Sequence, residues 1–76
     1  MFYIYPNPVK KNRIITIENT GYADYVITSI KGVFILSGFL NNEQEIIDLS
    51  KLTPGIYFIT VRDLQRNQLT KILIIE

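Results

Sequence analysis

The chain has 76 residues, which allows one domain and one core, because a chain of this size buries only about 60% of the surface its unfolded form exposes. Eight basic side chains against seven acidic ones leave a formal net charge of +1, so no long-range field gathers nucleic acid or an anionic membrane. Neither cysteine nor histidine occurs, which removes disulfides, thiolate chemistry, the commonest general base near neutral pH and the commonest transition-metal ligand.

With 47% hydrophobic residues the chain is composed to fold rather than to stay disordered. Its apolar residues recur at strand spacing, interrupted every few residues by Gly, Pro, Asn or Asp, and no window sustains a helical stripe. The start, Met1-Phe2-Tyr3-Ile4-Tyr5-Pro6, lacks the charged and apolar regions of a signal peptide, and no apolar run is long enough to span a bilayer. Met1 is therefore expected to be a start residue on an excised piece, with any export signal lying elsewhere.

In chain order, a short strand is expected around residues 2–5. Lys10, Lys11 and Arg13 form a small basic cluster, read as a solvated turn with a phosphate site as the alternative. Residues 13–18 then form a strand with Ile15 and Ile17 toward the core and Thr16 and Glu18 toward water, broken by Asn19-Thr20-Gly21. Strands at residues 25–30 and 33–39 flank Lys31-Gly32, where glycine supplies the positive φ of a tight hairpin. Both carry apolar residues on both faces, which fits central strands or a covered outer face and does not choose between them. After Asn41-Asn42, residues 45–49 place Ile47 and Leu49 on one face and Asp48 on the other. Leu52-Thr53-Pro54-Gly55 turns the chain into a strand at residues 56–62, with Tyr57, Ile59 and Val61 on one face. A polar hairpin at residues 63–68 leads to the last strand, residues 69–75. Seven short strands with turn signals every 8–12 residues predict an all-β, immunoglobulin-like antiparallel sandwich, two sheets burying their apolar faces against each other.

Candidate chemistry is sparse. Asp24 and Asp63 lie beside expected turns, Asp48 alternates outward, and Glu43 and Glu45 share a strand face, so each reads as a solvated acid rather than half of a catalytic pair. Asp24, Asp48 and Asp63 are the candidates for oxygen-only calcium binding, although no spaced Asp/Asn loop is visible. The five tyrosines, Tyr3, Tyr5, Tyr22, Tyr25 and Tyr57, read as core and end packing ahead of a sugar- or base-stacking platform. No catalytic, cofactor-binding or metal-ligating residue is assigned, and the chain is expected not to be an enzyme.

Several segments together, in order and covering nearly the whole chain, resemble the type A C-terminal sorting domain of the type IX (Por) secretion system of Bacteroidota. These are Tyr5-Pro6-Asn7-Pro8, the hairpin at Gly32, Ile47-Asp48-Leu49-Ser50-Lys51-Leu52 running into Pro54-Gly55-Ile56-Tyr57-Phe58, and a close on Lys71 followed by a β-branched run. Taken singly, Pro6-Asn7-Pro8 is also explained as a rigid turn, and the Leu-x-Pro-Gly-x-Tyr-like turn also occurs in fibronectin-type sandwiches, where the tyrosine bonds back to the main chain. The joint order and the missing sandwich tryptophan favour the sorting domain. The sequence departs from the family at Ser29 and Val33, where an Asp and a basic residue are often found, and at Leu52-Thr53-Pro54-Gly55, which more often reads Leu-Pro-x-Gly.

The resemblance implies one sorting domain over residues 1–76, attached to an N-terminal cargo, crossing the periplasm folded and recognised by the outer-membrane translocon. It also implies removal by a surface sortase and delivery to the cell surface or beyond, with no nucleic acid and no direct membrane insertion. Lys71, Ile72, Leu73, Ile74, Ile75 and Glu76 are the expected receptor-read end. Pro6, Asn7, Pro8, Gly32, Pro54, Gly55 and Tyr57 are expected to maintain the fold. The alternative is a non-catalytic adhesion or carbohydrate-binding module of an extracellular protein. Because the first and last strands are apolar, with Lys71 expected as the sole guard of the latter, an edge-strand dimer is the assembly the sequence permits.

Overall fold

Period-two alternation of apolar residues is realised as strands throughout. The computed structural model describes residues 2–76; Met1, expected to be an added start residue, lies outside them. The strands are β1 (Phe2–Tyr5), β2 (Ile14–Asn19), β3 (Asp24–Ser29), β4 (Phe34–Phe39), β5 (Gln44–Asp48), β6 (Gly55–Arg62) and β7 (Gln68–Ile75). Each boundary falls within one residue of its expected place, because Gly, Pro, Asn and Asp punctuate the chain at nearly every turn.

β1-β2-β5 form a three-stranded sheet and β4-β3-β6-β7 a four-stranded one, antiparallel throughout. The result is the expected immunoglobulin-like sandwich. Ile15 and Ile17 from β2 face Ile27, Ile59, Val61 and Leu73 from the second sheet, and all six are fully buried. Leu49 and Val9, from segments outside the strands, are equally buried and close the ends of the core. Burial of six such side chains at about 1.5–3 kcal/mol each supplies much of the drive to fold.

The apolar residues on both faces of the central hairpin now have their explanation. β3 lies between β4 and β6, whereas β4 is an edge strand. Phe34 and Phe39 project from the outer face of β4, 60% and 74% exposed, and no loop among the described residues covers them. The hairpin turns at Gly32, whose φ of 82° is the left-handed conformation a residue with a Cβ adopts only at a cost. Ser29 fastens this turn, its Oγ accepting the amides of Lys31 and Val33 at 3.2 Å each. A short side-chain acceptor at this position is what the turn needs, and Ser29 supplies it.

Candidate functional site

Alternation along β7 sorts the expected receptor-read residues into two sets. Leu73 and Ile75 point into the core and are almost fully buried, while Ile72 and Ile74 face outward and Glu76 is exposed. In the folded domain only Ile72, Ile74 and Glu76 offer side chains to a partner. Across the outer face Phe34, Thr28, Phe58 and Ile72 stand in one cross-strand row and Ile56 opposes Ile74, so the outward half of the closing strand continues into an apolar stripe.

Lys71 does not guard the edge of β7, contrary to expectation. Its register partner is the buried Ile59, so the side chain leaves the core face and crosses to the other sheet, where its ammonium donates to the Phe2 carbonyl. It also lies 5.0 Å and 5.2 Å from the ring centres of Phe2 and Tyr3. A half-buried cation held by a carbonyl and two aromatic rings ties β1 to β7.

The C-terminal half of the β7 edge is instead closed by the opening motif. Asn7 Nδ2 donates to the Ile72 carbonyl at 2.8 Å, and the Ile74 amide donates to Asn7 Oδ1 at 3.0 Å. One step further, the Val9 amide donates to the Ile74 carbonyl at 2.7 Å and the Glu76 amide to the Val9 carbonyl at 3.2 Å, which makes a parallel bridge between Val9 and Ile75. Lys10 and Glu76 pair at 3.4 Å beyond it. A carboxamide presents the same donor and acceptor as a peptide group, so the Asn7 side chain extends the ladder that the Val9 backbone begins. The peptide bonds before Pro6 and Pro8 are both cis. In sequence, Asn between two prolines shows a constrained turn and nothing of its distant partner. Replacing Asn7 by Ala is expected to cost about 1–2 kcal/mol, roughly one per lost hydrogen bond. Amide exchange at Ile74 should accelerate well beyond that of β3; an unchanged Ile74 rate would count against the clamp.

The second motif closes a corner. Tyr57 is buried, and its hydroxyl donates to the Thr53 carbonyl at 2.7 Å and lies 3.2 Å from Thr53 Oγ1. Pro54 turns the chain between them, and Gly55 opens β6 with φ 152°. This is the tyrosine corner anticipated from Pro54-Gly55-Ile56-Tyr57. We expect Tyr57→Phe to lower stability by about 1 kcal/mol, the worth of that hydrogen bond, and to reduce export only in proportion to unfolding. A fully folded Tyr57→Phe domain that is not exported would show that the hydroxyl is itself recognised.

The basic cluster proves to have two roles. Lys11 is exposed and Lys10 pairs with Glu76, but Arg13 is half-buried with φ 58°, and its guanidinium donates to the Leu52 carbonyl. Arg13 thus pins the loop before the tyrosine corner instead of belonging to a solvated turn; nothing in its charge marked it for this. The tyrosines also divide. Tyr25 and Tyr57 are buried and Tyr22 half-buried against Phe2, as packing residues should be, whereas Tyr3 and Tyr5 lie exposed on β1. The Tyr5 hydroxyl donates to Glu18, which raises its pKa by stabilising the protonated phenol.

The acids stand in turns or near the ends of strands. Asp24 pairs with Arg62 at 3.0 Å, and Glu45 accepts the amides of Asn41 and Asn42. The Ser50 amide bonds to Asp48 and holds its carboxyl below the ordinary range. Desolvation works to raise the Asp63 carboxyl, but hydrogen bonds from Asn67 and Gln65 together outweigh it and lower the pKa. Asp24, Asp48 and Asp63 are thereby engaged in separate places, and no group of three acidic side chains among the described residues is arranged to hold a metal ion.

The comparisons agree with this architecture. The family model described as "Secretion system C-terminal sorting domain" matches residues 3–76. No curated protein and no solved structure matches the chain. Such domains mark proteins for export across the outer membrane, and the matched stretch begins within β1, takes in the Asn7 clamp and the Tyr57 corner, and runs through β7. The chain belongs to the C-terminal sorting domain family of the type IX secretion system.

Proposed function

We propose that this domain is a passive address: a folded label carried behind an N-terminal cargo through the periplasm, read by the outer-membrane translocon, and then removed by a surface sortase cutting upstream of β1. It performs no chemistry of its own and inserts into no membrane. The observation that carries this reading is the family match over residues 3–76, joined to a fold whose polar side chains are engaged in turns and corners. What a receptor can read is surface, and the closing strand presents Ile72, Ile74 and Glu76 beside the apolar stripe of Phe34, Phe58 and Ile56. Docking of apolar side chains and of strand edges suits a label that must be recognised on many unrelated cargoes.

The adhesion or sugar-binding alternative asks for two or three coplanar exposed aromatics on a concave face. Tyr3 and Tyr5 share one face of β1, but Tyr5 is bonded to Glu18 and Tyr3 faces the Lys71 ammonium, and Phe34 and Phe39 lie at opposite ends of β4; with the family match, this favours the sorting reading. The deciding experiment fuses residues 2–76 to a periplasmic reporter in hosts with and without the secretion machinery. Surface reporter is expected only where the machinery is present; equal localisation in both hosts ends the proposal.

A further inference from the structure

Four strand edges bound the two sheets, and three of them are blunted. β1 is four residues long and has the Lys71 ammonium on its Phe2 carbonyl. β5 is five residues long and carries Glu45 and Asp48. β4 lies across a register shift at Ile27/Thr28. Short length, charge and bulges are the usual means of keeping an edge from pairing with another chain. β7 is neither short nor bulged: it is eight residues long, contains no proline, and pairs with β6 in unbroken register from Gly55↔Ile75 to Arg62↔Gln68.

The opening motif divides this remaining edge. The N–H and C=O of one strand residue point to the same side and alternate along the strand, so the bonds to Ile72 and Ile74 identify the outward set as Gln68, Thr70, Ile72 and Ile74. From the Ile72 carbonyl to the Glu76 amide the edge is filled by Asn7 and Val9. From Gln68 to the Ile72 amide no hydrogen bond from a described residue fills it. The side chains beside the open stretch are uncharged: Gln68, Thr70 and Ile72 on the outer face. The strand's one cation, Lys71, is turned away to β1, and Arg62, opposite Gln68, pairs with Asp24.

We propose that the open edge of β7 at residues 68–72 is a strand-addition site, and that its occupant is an extended segment of the secretion machinery. This deepens the sorting reading and rests on it. A second copy of the chain fits poorly in the register that would use the whole open stretch. In a two-fold antiparallel pair centred on Thr70, Gln68 of one copy needs the Ile72 carbonyl of the other, which Asn7 already holds. The segment carrying Pro6 and Pro8 would then face the turn at residues 63–67 of the other copy. A single incoming strand that ends against Asn7 meets neither obstacle, and its alternate side chains would lie beside Thr70 and Ile72 at the rim of the apolar stripe.

The test removes the outward amides without disturbing the core. Proline lacks the N–H and is tolerated on an edge strand whose N–H faces solvent, and at a strand's first residue. Thr70→Pro and Gln68→Pro are placed separately in the cargo fusion, with Thr70→Val as the variant that keeps the amide, and folding of each purified domain is followed by circular dichroism and thermal melting. Thr70→Val should reach the surface at the wild-type level, and a folded proline variant should lose at least tenfold. Gln68→Pro, at the strand's start, carries the test if Thr70→Pro does not fold. Wild-type delivery of a folded proline variant overturns the strand-addition site. A concentration-dependent dimer of the wild-type chain that either proline abolishes overturns the assignment of the occupant. Failure of the unmodified fusion to be exported strikes the sorting reading itself.

Discussion

Deleting residues 72–76 from a cargo fusion is expected to strand the cargo in the periplasm, and the reason lies first in stability. The deletion removes Leu73 and Ile75 from the core. Losing a buried Leu or Ile side chain costs about 2–5 kcal/mol, and two such losses approach the whole stability of a 76-residue domain, about 4–11 kcal/mol. The same deletion takes away the partners of Asn7 and Val9 and the acid that pairs with Lys10. The truncated domain should therefore lose its cooperative melt as well as its export, and normal surface delivery of the truncation would sink the proposed function. Recognition is separated from folding by charging the outward side instead: Ile72→Lys and Ile74→Lys leave Leu73 and Ile75 in place, so a folded but unexported variant of this kind identifies the surface that is read.

A second large effect is expected at Gly38. A Cβ built there would lie 2.7–2.9 Å from the hydroxyl and ring atoms of Tyr25, its cross-strand partner. Tyr25 is buried and cannot simply swing away, so either its ring leaves the core or β4 peels from β3. Gly38→Ala should cost about 1–3 kcal/mol and Gly38→Val more, the usual range for overpacking a filled site. A double-mutant cycle ties the cost to this contact: Tyr25→Leu should absorb most of the Gly38→Ala penalty. An additive cycle would assign the cost to the backbone instead. Gly38 had only a weak signal in the sequence, a lone glycine inside an apolar strand, which often marks close approach by a neighbour.

Strands, turns and core faces were legible in the sequence because they are local. Alternation set which of Ile15, Thr16 and Ile17 would be buried, and Gly32 and Pro54-Gly55 placed turns where positive φ or a fixed φ was needed. The tyrosine corner was legible for the same reason, since Tyr57 and its acceptor Thr53 are four residues apart. Family membership was legible because it rests on the order of these local pieces.

The fates of Asn7, Arg13 and Lys71 depend on partners 65, 39 and 69 residues away and had no local signature. Periodicity also left the place of β3 and β4 undecided, because an internal strand and an edge strand with an open outer face can carry the same apolar pattern. Local pattern alone was enough to specify a seven-stranded sandwich without the usual catalytic side chains, its closing strand split into a buried and an outward half. Which edges of that sandwich are closed emerged from the folded arrangement alone. Edge closure is a matter of which distant backbone groups meet, and the meeting of Asn7 with Ile72 and Ile74 exists only once β1 and β7 are brought together by the core between them.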